Sequence, residues 1–373
     1  MRYELKSHYL WLFFIEVRYI KYYNSRNMKQ FIKLPKLSKD DQVAVISPSA
    51  GLPAIFPWVQ DLGLERLRNI FGLTPIEYPT TRTMNAPLKD RARDIMAAFA
   101  DTKNKAVFTS IGGLDQIKLL KYLDPQVFLD NPKPFFGYSD NTHLHNFLWN
   151  LGIPSYYGAA IMTQLAFQGQ MNDMTINSLN HALFDEGEFE LEISEQYSDI
   201  GLNWSNKENL SKTRKMEPND GLFWDGDINV EGILWGGCLD SMVVQTAAER
   251  FLPKTQDLEG TVLFIETSED MPEHWIVEYV LTGFGERGWF DKFQAVLVGR
   301  PKAWEFDKQN DTKTKAEYRQ QQRKTVLKTV REYNKSIPVV QNLDFGHTDP
   351  QVVLPNGGKV KINSTGKKIS LNY

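Results

Sequence analysis

The 373-residue chain holds a single cysteine, Cys238, so no disulfide can close within it and no cysteine-type zinc site can be assembled. Such sparse thiol usage fits a reducing, cytoplasmic setting. An excess of one charge is also missing. Lys+Arg 43 against Asp+Glu 46 leaves −3, with no basic stripe for nucleic acid and no acidic solvating tail. The apolar run Tyr9 to Ile15 is stopped by Glu16 and Arg18, far short of the roughly 20 residues that span a bilayer. Arg2 and Lys6 before it give a weak signal-peptide look, but no small-residue cleavage site follows. Internal repeats, low-complexity tracts and P-loop patterns are absent too. What is present is 42% hydrophobic and 12% aromatic residues, enough for a sizeable core in about two domains.

Residues 1–35 read as an extension outside the fold, with Met28 as a working start, and no stable membrane association is expected. Gln42 to Ser47 reads as a short buried strand ended by Pro48. Leu64, Leu67 and Phe71, then Ala92, Ile95, Met96 and Phe99, recur at helical spacing. Further strands are expected at Ala106 to Ser110, Lys133 to Phe136 and Pro154 to Tyr157, with helices from about Asp115 to Tyr122 and from Thr142 to Leu151. Strands alternating with helices imply right-handed crossovers and a mostly parallel sheet, so residues 36–190 read as an N-terminal α/β sandwich domain. Residues 191–226 are rich in Asn, Lys, Ser and Glu and read as a connector and substrate-facing loop. Residues 227–373 read as a smaller C-terminal β-rich domain. It has strands at Asn229 to Leu234 and Thr261 to Ile265, a helix from about Leu239 to Phe251, and short alternating strands about Asn356-Gly357-Gly358.

Three places carry the chemistry. Gly137-Tyr138-Ser139-Asp140 joins an apolar strand to a helix, which exposes a hydroxyl at the carboxyl edge of a sheet, where α/β folds bind ligands. A serine before a helix is by itself more often a cap than a nucleophile. Here the Asp140 N–H stands at a helix start, and Gly112-Gly113 could bring a second backbone N–H close, as an oxyanion hole requires. The full G-x-S-x-G elbow is not met, because Asn141 stands at its last glycine. Glu266 ends the apolar strand Val262-Leu263-Phe264-Ile265, where a carboxylate is either merely solvated or orients a histidine. His347, in a turn-rich stretch, would alone read as an exposed loop histidine, but it is the one histidine outside a helix-like or N-terminal context, and acyl transfer needs a base of near-neutral pKa.

Other patterns fail their context. Gly283-Phe284-Gly285-Glu286-Arg287-Gly288 matches G-x-G-x-x-G but follows a helix-like stretch rather than a strand, so a dinucleotide-binding reading rests on a misplaced glycine string. His143 and His145, two apart on a helix, share no face for a metal. Cys238 reads as structural.

From Val43 to Leu371 the chain resembles the serine peptidase family of LD-carboxypeptidases and microcin C immunity proteins. The likeness is carried by the Val43-to-Pro48 strand, Ile111-Gly112-Gly113, Gly137-Tyr138-Ser139-Asp140 with Thr142 and His145, Tyr157-Gly158, Gly232 to Gly237, Leu263-Phe264-Ile265-Glu266, Val298-Gly299-Arg300 and Phe345-Gly346-His347. The resemblance implies a Ser139, His347 and Glu266 triad, an oxyanion hole of the Gly113 and Asp140 backbone N–H groups, and a cleft between two domains. It also implies a homodimer with no metal and no cofactor. Ser110-Ile111-Gly112-Gly113-Leu114-Asp115 replaces the Arg-Gly-Gly-Tyr-Gly of the carboxypeptidase branch and looks closer to the microcin-immunity branch, as does the polar segment holding Trp204. Thr267 stands where an acid is common, and Cys238 where Asn is common.

The expectation is a serine hydrolase cutting an amide bond, in a murein-type peptide or in an aminoacyl or peptidyl nucleotide. Gly112 and Trp204 would contact the substrate, the indole stacking on a base. A catalytically silent binding protein on the same scaffold is the alternative.

Overall fold

The computed structural model describes residues 29–373. The apolar run Tyr9 to Ile15 and Met28 lie outside the described residues. Residues 29–35, expected beyond the fold, instead pack on it, because the segment carries its own apolar side chains. Leu34 is buried in the first core, the Phe31 ring meets Trp149 edge-on at 5.3 Å, and the Ile32 N–H donates to the Gly152 carbonyl. Among the described residues no helix is long and apolar enough to cross a membrane.

Two sheets organise the molecule. The first has six strands in the order Leu354–Asn356, Ser155–Tyr157, Phe135–Gly137, Asn104–Thr109, Gln42–Ile46, Thr74–Glu77, all parallel except the first pair. Its central strands are buried on both faces, which is why Val43 to Ile46 is an unbroken apolar run. The Leu88–Ala100 helix turns Ala92, Ile95 and Phe99 onto this sheet at helical spacing. The expected helix over 115–122 is instead two short 3₁₀ turns, Gln116–Lys118 and Leu120–Tyr122. Asp124-Pro125 starts a new helix too soon for a longer one to develop.

The second sheet has eight strands in the order Glu188–Glu190, Lys368–Asn372, Lys359–Asn363, Val230–Cys238, Thr261–Glu266, Phe293–Gly299, Val339–Leu343, Phe223–Asp225. The four from Val230–Cys238 to Val339–Leu343 are parallel and the outer ones antiparallel. The Val230–Cys238 strand runs past the expected end at Leu234, since its ladder continues until Cys238 pairs with Glu266. The Thr312–Tyr333 helix left no amphipathic signature, because its buried face mixes Lys315, Arg319 and Gln322 with Val326 and Val330. The glycine string at 283–288 falls on the end of the His274–Glu286 helix.

The two sheets meet along the Thr142–Asn150 helix. Thr142 Oγ1 accepts from the Cys238 N–H at 2.9 Å, Asn146 donates to Gln245, and the Trp149 indole donates to the Leu234 carbonyl. The polar segment after Tyr197 is pinned by a buried ion cluster. Lys315 contacts Asp199 at 2.6 Å and Glu217 at 2.5 Å, and Arg319 holds the other Asp199 oxygen.

Candidate active site

Ser139 stands where the Phe135–Gly137 strand has ended and the Ser139–Asn141 turn leads into the Thr142–Asn150 helix. Its φ of +63° lies in the left-handed region that a residue with a Cβ seldom occupies. Neighbouring elements hold it there. The Ser139 N–H donates to Tyr157 Oη at 3.1 Å, Asn141 Nδ2 donates to the Tyr138 carbonyl at 2.9 Å, and Asp140 Oδ2 receives the Asp115 and Gln116 N–H groups at 3.1 and 3.0 Å. His145 closes the strand end, bonding to the Gly137 carbonyl and the Ser155 hydroxyl. Burial lowers its pKa to about 4, which keeps the ring neutral in that role.

Gly112 must be glycine for this turn to fit. A Cβ there would lie 2.9 Å from Ser139 Cβ and 3.1 Å from its Oγ. The Asp140 nitrogen faces the same gap, 3.3 Å from that point, and a Cβ on Gly113 would lie 2.8 Å from Ser49 Cβ and 2.9 Å from the Ala50 nitrogen.

Across the seam Glu266, 1% exposed, ends the Thr261–Glu266 strand. Its Oε2 meets His347 Nδ1 at 2.6 Å, and His347 Nε2 stands 3.1 Å from Ser139 Oγ. The structure therefore joins the three residues singled out in the sequence in one hydrogen-bonded chain. Gly346, at φ +94°, lets the turn pass beside Glu266, since a Cβ there would be 2.6 Å from Oε2. Gln351 holds the turn by donating to the Gly346 carbonyl at 2.6 Å and accepting from the Ala159 N–H.

Two participants escaped the sequence reading. Tyr157 donates to Glu266 Oε1 at 2.6 Å while accepting from the Ser139 N–H, so it ties the two ends of the chain together. Burial, reinforced by Glu266, raises its pKa well above 10 and keeps it a donor. The Tyr157-Gly158 pair was visible, but nothing in its spacing marks the phenol. Glu269 reaches His347 Nε2 at 3.0 Å from the loop after the strand, a contact between side chains 78 positions apart that no local pattern announces. Burial alone would lower the His347 pKa; the carboxylates of Glu266 and Glu269 outweigh it and raise it well above 6.5.

The chain of three opens on a cavity of about 540 Å³ between the sheets. Ile111, Leu52 and Phe56 form part of its apolar wall, and Trp204 packs edge-on against Phe56 at 5.7 Å with its backbone carbonyl accepting from the Trp58 indole. Ser139, Gly112, Gly113 and Trp204 all line it. Arg214 and Lys302 also line it, paired with Asp349 and Glu305.

Among the described residues, Cys238, Glu266 and His347 are the one grouping whose donor atoms lie close enough to share an ion. These donors are already committed. Both Glu266 oxygens and His347 Nδ1 are hydrogen-bonded, and burial, followed by Glu266, pushes the Cys238 thiol pKa well up, away from the thiolate a metal needs. His143 and His145 point to different partners, Asp140 and Gly137.

Comparison with known proteins bears on the family and the fold. The family model described as the LD-carboxypeptidase N-terminal domain matches residues 43–158, and that of the LD-carboxypeptidase C-terminal domain matches residues 231–362. The chain is 28% identical over 333 residues to the "Putative carboxypeptidase YocD" of Bacillus subtilis, covering 88% of this chain and 95% of that one. It is 28% identical over 287 residues to the microcin C7 self-immunity protein MccF of Escherichia coli, covering 76% and 78%. The solved structure of wild-type MccF in the apo state superposes with a TM-score of 0.79 at 25% identity, covering 92% of this chain and 98% of that one. MccF has also been solved with aspartyl sulfamoyl adenosine. With both domain models matched in order over most of its length, the chain belongs to the LD-carboxypeptidase family.

Proposed function

We propose that the protein is a serine hydrolase that cleaves an amide bond, with Ser139 as nucleophile, His347 as general base and then acid, and Glu266 orienting the imidazole. The observation that carries this reading is the continuous contact from Ser139 Oγ through His347 Nε2 and Nδ1 to Glu266 Oε2. Ser139 attacks the carbonyl carbon as its proton passes to His347. The tetrahedral oxyanion is held by the Asp140 and Gly113 N–H groups, each donor contributing about 3 kcal/mol in comparable enzymes. The imidazolium then protonates the leaving nitrogen, and water repeats the sequence on the acyl-enzyme.

Of the two substrate classes, an aminoacyl or peptidyl nucleotide suits the cavity better than a murein-type peptide. Trp204 and Phe56 offer an aromatic wall for a base, with the apolar side chains of Ile111 and Leu52 beside it. Incubation with a murein tetrapeptide and with an aminoacyl nucleotide amide, followed by mass detection, tests this. Cleavage of the nucleotide is expected, and cleavage of neither, with the protein folded, contradicts it. The Ser139→Ala variant should lose turnover about 10³-fold or more with its melting temperature preserved; undiminished turnover would remove Ser139 from the mechanism.

A further inference from the structure

Four carboxylates line the cavity: Asp199, Glu269, Glu305 and Asp349. Three are matched to Lys or Arg: Asp199 to Lys315 and Arg319, Glu305 to Lys302, and Asp349 to Arg214. Glu269 is not. Among the described residues its one ion pair is with His347, Oε2 to Nε2 at 3.0 Å, and its side chain is 49% exposed. The same Nε2 stands 3.1 Å from Ser139 Oγ, while Nδ1 is held by Glu266 at 2.6 Å. An imidazole with a carboxylate on each nitrogen keeps both protons. It then offers the serine hydroxyl a hydrogen where a base must offer a lone pair.

We propose that Glu269 is a substrate-operated latch, which holds His347 as imidazolium while the cavity is empty and frees it by pairing with an ammonium group that the substrate carries beside its scissile carbonyl. The inference rests on the amide-hydrolase reading above and names the substrate class. Glu269 Oε2 and Ser139 Oγ share one nitrogen, so a cation that meets Glu269 lies next to the carbonyl that Ser139 attacks. The free α-ammonium of an aminoacyl group has that placement; the α-nitrogen of a peptidyl group is an uncharged amide and does not. The favoured class is therefore an aminoacyl compound with a free α-amine. On binding, the ammonium takes the Glu269 carboxylate, the Nε2 proton leaves to solvent, and the neutral nitrogen accepts the hydroxyl proton.

The other groups about His347 do not substitute for Glu269. Tyr138, whose ring centre is 5.0 Å away, is kept neutral by burial, as is the Cys238 thiol. Asp349 is engaged by Arg214, and Asp270, though near enough to feel the imidazole, makes no ion pair with it among the described residues. Lys302, behind Glu269, is itself tied to Glu305.

Calorimetry on the full-length Ser139→Ala protein, with alanyl-sulfamoyl adenosine and its Nα-acetyl form as probes, tests the ammonium site without requiring turnover. The free amine should bind about tenfold more tightly, with about one proton released per molecule near neutral pH. Both effects should vanish when Glu269→Gln is added, a change at a half-exposed position that should leave the melting temperature alone. Equal affinities for the two probes, or a preference that survives Glu269→Gln, overturns the ammonium site. ¹⁵N-histidine NMR should show His347 titrating at lower pH in Glu269→Gln than in the wild type, and an unchanged titration overturns the latch. Failure of the wild-type protein to hydrolyse any amide would instead defeat the hydrolase reading, and the binding and NMR results would still decide on Glu269.

Discussion

Tyr157 shows how much one hydroxyl can carry, since it supports the Ser139 backbone and Glu266 together. Tyr157→Phe keeps the ring and leaves Glu266 Oε1 without its donor, a loss of about 1–3 kcal/mol of stability by urea denaturation. Turnover should fall as well, because Glu266 would be free to turn away from Nδ1. Gly112→Ala places a methyl 2.9 Å from Ser139 Cβ and should cost about 100-fold in kcat and lower the melting temperature as the turn shifts to make room. The sign of the pH dependence follows from His347. Its carboxylate neighbours raise its pKa, the imidazolium cannot accept a proton, and so kcat/KM should climb with pH through a midpoint above 6.5. A midpoint below 6.5 in a pH–rate profile would contradict this. At this scale the contact of Ser139, Glu266 and His347 was legible through the family resemblance, since alone Glu266 reads as a solvated strand end and His347 as an exposed loop residue. Tyr157 and Glu269 were not, because their partners are distant in sequence and their roles exist only after folding.

Among the elements, the buried strands and their alternation with helices were readable from apolar runs and 3.6-residue spacing. The failures have local causes. The 115–122 segment was cut short by the new helix that opens at Asp124-Pro125, and the Thr312–Tyr333 helix hid its buried face behind Lys315, Arg319 and Gln322. That polar face fixes the segment that carries Trp204 to the second sheet. Lys315→Met should therefore act twice. It strips Asp199 and Glu217 of their shared cation, costing about 3 kcal/mol in chemical denaturation, and it loosens the Trp204 wall, raising KM for a nucleotide substrate more than it lowers kcat. A change in kcat alone would separate the ion cluster from the cavity.

For the whole molecule, the site belongs to neither sheet. Ser139 comes from the first, Glu266 from the second, and His347 from the turn between Val339–Leu343 of the second sheet and Leu354–Asn356 of the first. The Thr142–Asn150 helix sets their spacing by bonding to Cys238, Leu234 and Gln245. Asn146→Ala, remote from the cavity, should lower kcat by disturbing that docking. Covalent capture of the nucleophile is the direct test of the central claim. Intact-protein and peptide mass spectrometry after exposure to a fluorophosphonate should find one adduct, on Ser139, formed far more slowly in His347→Gln. An adduct on another residue, or labelling of Ser139 as fast without His347 as with it, would contradict the account.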